Sequence, residues 1–304
     1  VVVPAMGRAD VAVTAVAART LSRAQAFAAQ YGIDAALGEY EHLIHWRDVD
    51  AVYIALPPSL HAEWAIRAMK ANKHVLCEKP LCMNADEAQE VVAFARFTNR
   101  VFMEAYHWRH HALNQALLAE LHASGPIPEA IANFEVDIAK TPDELRWRKE
   151  LGGGAMMDLG CYPLHLLRSA FRCEPTVEAA YAAWEDGVDA AMVAHLRFKG
   201  AKAVLMCGMR TSKATARAGF QVGGRTIEIA NYVAPQLGAR IVRSAPGPHD
   251  APDIPPLPTT YAAQLANFVD ACARRAAPLV TLDDSLAQMR AIDAIYAAAL
   301  KSKP

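Results

Sequence analysis

No stretch of the sequence approaches the ~20 consecutive apolar residues that a membrane span needs. Nor is there an excess of charge. Lys plus Arg number 31 against 32 Asp plus Glu, a net charge of −1, which leaves no electrostatic case for nucleic acid or an anionic membrane as partner. Cys-x-x-Cys and His-Glu-x-x-His spacings are both missing. The six cysteines (Cys77, Cys82, Cys161, Cys173, Cys207 and Cys272) are scattered. At this length that pattern points to reduced thiols in a cytoplasmic protein rather than to a disulfide framework or a zinc site. His107, His110 and His111 cluster, but without a Cys or acidic partner at ligand spacing, so no metal is expected. The chain also lacks an initiator Met, a signal peptide and any internal repeat; it opens inside an apolar segment, Val1-Val2-Val3-Pro4, as a chain would if its first element were missing.

What is present is enough apolar residue for two cores. The chain has 304 residues, 53% of them hydrophobic, which makes disorder over most of its length untenable. Strand-like runs at 10–18, 51–56, 74–77 and 101–104 alternate with helical stretches, one closing at Gly32, one expected to be capped by Ser59 and one by Asn84. That alternation predicts βαβ units and a parallel, doubly wound sheet. After about residue 113 a helix, a strand at 130–138 and a polar loop lead to Gly152-Gly153-Gly154 and a helical stretch to about 171. From 176 to 243 the period is mostly two, with glycines between runs, which predicts an antiparallel meander. A proline-rich loop at 246–258 precedes two closing helices, 261–275 and 283–301. The expected domains are 1–110, a dinucleotide-binding unit, and 111–304, a substrate and dimerisation unit whose helices over 261–301 pack back.

Three stretches carry chemistry. Cys77-Glu78-Lys79-Pro80 ends the run 74–77, and ligands bind outside the carboxyl ends of such strands. A Lys there can hold a phosphate or support a proton relay; it can equally be a surface Lys before a proline turn. Arg19, Ser22 and Arg23 follow the first strand-like run. An Arg beside a hydroxyl suits a 2′-phosphate, hence NADP, with NAD still possible; a solvated helix start explains the same residues. In the third stretch, Asp158, Tyr162 and His165 share a helix face at i, i+4 and i+7, approximately, because Pro163 intervenes. A Tyr beside a Lys ammonium has its pKa pulled down and can exchange a proton with a hydroxyl; a Gly-rich helix start with a buried Asp is the plainer alternative.

Together His74-Val75-Leu76-Cys77-Glu78-Lys79-Pro80, Glu104-Ala105, Arg146-Trp147-Arg148 and Gly152-Gly153-Gly154-Ala155-Met156-Met157-Asp158-Leu159-Gly160-Cys161-Tyr162 resemble the Gfo/Idh/MocA oxidoreductases over nearly the whole chain. Tyr162, in place of a His, is similar to the dihydrodiol dehydrogenase, D-xylose dehydrogenase and glucose–fructose oxidoreductase branch. The resemblance implies a Rossmann-type parallel sheet followed by an α+β domain with a large, open-faced and mainly antiparallel sheet; the first strand and Gly-rich loop of the former are missing from the sequence, which fits a longer native chain or, less well with the site residues present, a loss of cofactor binding. It implies NADP, a sugar or trans-dihydrodiol substrate, and a homodimer or larger homo-oligomer through the second sheet. It also implies that Tyr162 exchanges the proton, that Lys79 assists, and that Asp158 binds substrate or positions the pair. Leu56, Pro57 and His61 would border the cofactor, Glu78 and Glu104 would approach the nicotinamide, and Arg148 would reach the cofactor from the second domain. His107, Trp108, Arg109, His165 and the loop near Thr141 to Arg148 would complete the substrate pocket. A non-catalytic NADP-binding sensor of the same fold is the alternative; retention of Lys79, Asp158 and Tyr162 weighs against it.

Overall fold

The computed structural model describes residues 7–250 and 258–302; the opening segment Val1-Val2-Val3-Pro4 and residues 251–257 of the proline-rich loop lie outside the described residues. The first half runs β1 (Ala15–Ala17), α1 (Leu21–Tyr31), β2 (Ala35–Leu37), α2 (Tyr40–Ile44), β3 (Ala51–Ile54), α3 (Pro58–Lys70), β4 (His74–Cys77), α4 (Ala85–Phe97) and β5 (Phe102–Glu104). The Thr20 side chain caps α1 by accepting from the Arg23 amide, and Gly32 closes it in the left-handed region at φ 63, which a residue without Cβ adopts at no steric cost. Asn84 caps α4 by accepting from Glu87. Helix α3 departs from expectation. Pro57 is its N-cap residue and Pro58 its first helical residue, because proline's fixed φ and missing N–H suit that position. Ser59 therefore sits inside the first turn.

All pairings in this half are parallel, in two pieces: β1 with β2, and β3-β4-β5 with β4 in the centre. The three-residue β2 is too short to show a period in the sequence. Val75, Leu76 and Cys77 of β4 are buried, so the end of β4 is fixed from both faces.

The second half runs α5 (Ala112–Ala123), β6 (Glu129–Glu135), two 3₁₀ turns (Leu145–Trp147 and Lys149–Leu151), a π-helical turn (Met156–Gly160), α6 (Cys161–Phe171), β7 (Thr176–Glu185), β8 (Val188–Phe198), β9 (Ala201–Gly208), β10 (Thr215–Val222), β11 (Arg225–Ala230), β12 (Arg240–Arg243), α7 (Thr260–Cys272) and α8 (Leu282–Lys301). The seven strands form one sheet in the order β12-β11-β10-β6-β9-β8-β7. This is not a simple meander. Strand β6 is inserted between β10 and β9 and runs parallel to β9, while every other pair is antiparallel. One face buries Ala130, Ala132, Leu205, Cys207, Ala218 and Phe220 beneath α6 and the π-helical turn. On the other face Tyr181, Val193 and Met206 stand in one register row, and His195, Val204 and Ile131 in the next. Ile131 and Tyr181 are exposed. Helix α8 returns to the first half, where the Asp293 carboxylate accepts from the Ala85 amide at 2.8 Å. Among the described residues no helix is long and apolar enough to cross a membrane.

Candidate active site

The end of β4 and the π-helical turn meet at Lys79. Its ammonium donates to the Asp158 main-chain carbonyl at 2.7 Å and to Asp158 Oδ1 at 2.8 Å. The other carboxylate oxygen of Asp158 accepts from Arg146 Nε at 2.7 Å, and Arg146 also pairs with Glu144 at 2.9 Å. Burial works against each charge. It is outweighed at Lys79 by Asp158, which holds the ammonium above its usual range, and at Asp158 by Lys79 and Arg146, which hold the carboxyl below its own. The Lys79 ammonium lies 5.0 Å from the centre of the Tyr162 ring.

Tyr162 does not behave as expected. Its phenol is pushed well up, first by burial and then by Glu78, because the Lys79 charge is neutralised by Asp158 before the phenol can draw on it. The hydrogen-bond partner of its hydroxyl is His107 Nε2 at 3.0 Å. Phe134 and Tyr106 meet the ring edge-on at 5.5 and 5.9 Å. His107 in turn has Nδ1 2.9 Å from Thr260 Oγ1 and lies flat on Tyr261, 4.2 Å between centroids. Burial, and next Lys79, pull its pKa down to about 3, so the ring is neutral at neutral pH.

Lys79, Asp158, Arg146, Tyr162, His107 and Tyr261 line a cavity of about 720 Å³ together with Leu56, Pro58, Glu78 and Pro80 from the parallel half. Glu78 is oriented by the Tyr53 hydroxyl, which donates to it at 2.5 Å. His61 is buried beneath, with Nε2 2.7 Å from the Leu56 carbonyl and Nδ1 3.0 Å from that of Pro80. It ties two strand-end loops together rather than facing the cavity.

The three glycines permit close approach of the chain to itself. Gly152 has φ +84, and a Cβ there would lie 2.7 Å from Pro58 Cβ; at Gly153 one would lie 2.6 Å from the Arg146 carbonyl oxygen; at Gly154 one would run into the Asp189 carboxylate. Asp189 is the brace behind the site. It accepts from the Met156 amide at 2.7 Å and from the Tyr296 hydroxyl at 2.7 Å, and burial raises it to about 6.

Several expected site residues stand elsewhere. Glu104, Trp108 and His165 are fully buried and do not line the cavity. His165 bonds Asp284 at 2.8 Å and stacks on Tyr106 at 4.1 Å, because the widened turn and Pro163 break the i, i+7 alignment. Pro57 and Arg109 are half-buried and also off the cavity. Arg148 is exposed and pairs with Glu150 at 2.7 Å; the arginine at the site is Arg146. Arg19, Ser22 and Arg23 stand exposed at the start of α1, where the first turn carries no acidic residue. Asp189, Thr260 and Tyr261 carry no sequence signal as site residues. Arg146 lies in the loop near Thr141 to Arg148, expected at the substrate pocket, and that loop lends Glu144, Leu145 and Arg146 to the cavity.

Parallel strand ends that deliver a lysine to an acid and a tyrosine from a second, antiparallel unit define a two-part α/β oxidoreductase. A family described as the GFO_IDH_MocA oxidoreductase family with an NAD-binding Rossmann fold matches residues 4–106, and the GFO/IDH/MocA C-terminal domain matches residues 118–229. The NADP(+)-dependent D-xylose 1-dehydrogenase 2 of Haloferax volcanii is 33% identical over 98% of this chain and 93% of that protein. The dTDP-3,4-didehydro-2,6-dideoxy-alpha-D-glucose 3-reductase of Saccharopolyspora spinosa is 41% identical over 60% of this chain, a match that spans 55% of the reductase's length. A solved 3-ketoreductase from Actinomadura kijaniata, complexed with NADP and TDP-benzene, superposes with a TM-score of 0.84 at 26% identity, over 98% of this chain and 92% of that one. The chain belongs to the GFO/IDH/MocA oxidoreductase family.

Proposed function

We propose that the protein transfers hydride between NADP and a CH–OH group of a sugar or trans-dihydrodiol, in the cytoplasm and as a homodimer. The observation that carries the reading is the convergence of Lys79, Asp158 and Tyr162 in one cavity at the end of a central parallel strand. Residues 1–110 would bind the cofactor and 111–304 the substrate. Arg19, Ser22 and Arg23 fit a 2′-phosphate: two guanidinium groups and a hydroxyl, exposed, with no carboxylate in the turn to repel it. Leu56, Pro58, Glu78 and Lys79 would border the nicotinamide end. When bound, NADP supplies the acceptor or donor of the hydride. Tyr162 exchanges the proton of the reacting hydroxyl, Lys79 stabilises negative charge on that oxygen, and Asp158, held by Arg146, fixes the Lys79 position. The apolar rows of Tyr181, Val193 and Met206, and of Val204 and Ile131, would form the dimer contact. Six free thiols accord with a reducing compartment.

The test is NADPH formation with a panel of aldoses and a trans-dihydrodiol. At least one substrate should turn over, and Tyr162→Phe should lower that turnover by roughly 10²–10⁴ while NADPH binds as before. Tight NADPH binding with no turnover across the panel would instead make the protein a sensor.

A further inference from the structure

A buried phenol is a poor proton acceptor on its own, and the Lys79 ammonium, 5.0 Å from the centre of the Tyr162 ring, is paired with Asp158. Two N–H groups of Lys79 are directed at Asp158. The hydroxyl instead meets His107 Nε2 at 3.0 Å, and the far nitrogen of that ring meets Thr260 Oγ1 at 2.9 Å. Tyr162, His107 and Thr260 thus form one hydrogen-bonded chain from the cavity to the first residue of α7.

We propose that His107 is the proton partner of Tyr162. Tyr162 takes the proton of the substrate hydroxyl while its own proton passes to His107 Nε2, and carbonyl reduction runs the chain in reverse. The proposal rests on Tyr162 being the proton-exchanging group of the reading above. The balance is simple. The substrate O–H breaks and a Tyr162 O–H forms; the former Tyr162 O–H breaks and an N–H forms on His107; the electron pair of the substrate C–H bond leaves with its hydrogen as hydride to NADP⁺. Tyr162 stays neutral at both ends of the step, so no buried phenolate has to exist. His107 acts through Tyr162 and is therefore a positioning and relay residue.

The surroundings favour the neutral ring, so the imidazolium exists only within the step. In the resting state the ring must be neutral, with the proton on Nδ1 and the lone pair on Nε2, and Thr260 Oγ1 is placed to accept from Nδ1. Lys79 and His110 face the ring and oppose its charging. Tyr261 lies flat against it, a contact that strengthens when the ring becomes a cation.

Two variants and a spectrum test this. His107→Phe removes both nitrogens; His107→Gln keeps an acceptor for the Tyr162 hydroxyl but cannot take the proton. With the substrate found by the panel, both should lower kcat about 10²-fold at pH 7, with KM within about threefold. The deficit should shrink roughly tenfold per pH unit as pH rises, because the variants must wait for Tyr162 to ionise. Wild-type turnover in His107→Gln, or a deficit that does not change with pH, would overturn the proposal. Nitrogen-15 spectra of histidine-labelled protein without cofactor should show His107 neutral and protonated on Nδ1, and Thr260→Val should disturb that signal. An Nε2–H tautomer or an imidazolium at pH 7 would overturn it too. The spectrum needs no substrate, so a wrong tautomer overturns the relay whatever the panel shows, whereas failure of the panel with the expected tautomer overturns the dehydrogenase reading on which the relay rests.

Discussion

The end of β1 and the end of β4 are built on opposite plans. At the first, Arg19, Ser22 and Arg23 stand exposed. At the second, Lys79, Asp158, Arg146, Tyr162 and His107 answer one another before any ligand arrives. Under the proposed function the difference separates binding from chemistry. A group that waits for an anion does best bare, since any carboxylate partner in the protein would compete. Groups that must move a proton do best preorganised, so that nothing reorients during the step. Substitutions at the first end should touch affinity alone; at the second they should touch turnover and, through burial, the fold.

The largest effect should come at Lys79. Lys79→Met leaves Asp158 with Arg146 alone and should lower kcat by roughly 10²–10⁴, with NADPH affinity within a few-fold by fluorescence titration. A variant that kept its turnover but lost NADPH would break the comparison. Next, Arg19→Glu should weaken NADPH by about 10- to 100-fold, the worth of one charge-assisted hydrogen bond, and leave both NADH affinity and kcat at saturation unchanged. A matching fall in NADH affinity would remove the 2′-phosphate from the account.

Asp189→Ala tests the support rather than the site. It strands the Met156 amide and the Tyr296 hydroxyl, each costing about 1–3 kcal/mol when buried without a partner, so urea unfolding should shift by a few kcal/mol. Glu104 should show the smallest change. Burial raises it to about 8; Ser285 and the Leu81 amide lie close enough to offset this in part, but neither reaches its carboxylate with sound hydrogen-bond geometry. A carboxyl raised in the folded state favours folding at low pH, and the gain fades as pH climbs toward 8. The buried histidines His61, His107 and His165 are pulled down by burial and act oppositely below about 6.5. Between about pH 6.5 and 8, therefore, stability should fall by at most about 1.4 kcal/mol per unit relative to Glu104→Gln. Parallel curves for the two proteins would show Glu104 already ionised.

What could be read from the sequence was what local chemistry decides. Gly32 and Asn84 mark helix ends because caps are local, and Glu78-Lys79-Pro80 marks a strand end because the apolar run before it is short. The insertion of β6 between β10 and β9 left no trace, since strand order is decided by contacts far apart in sequence. Arg146 and Arg148 are two residues apart and differ only in where a 3₁₀ turn aims them. The direction of the Tyr162 shift depended on whether Asp158 would neutralise Lys79 first, which spacing does not disclose. His107 was expected at the substrate, and it does line the cavity; its bond to Tyr162 needed the third dimension.

The Asp189 brace bears on the order in which the protein acquires its abilities. One arm holds the turn that carries Asp158, and the other reaches Tyr296 on α8. During synthesis the chain folds from its N-terminal side, and α8 is the last element described. A nascent chain that has completed β12 already owns the arginines of α1 and the lysine of β4, yet its acid and tyrosine still rest on an anchor fastened at one end. Under the proposed function, such a chain would gain its binding end before its catalytic end, which waits for α8 to dock.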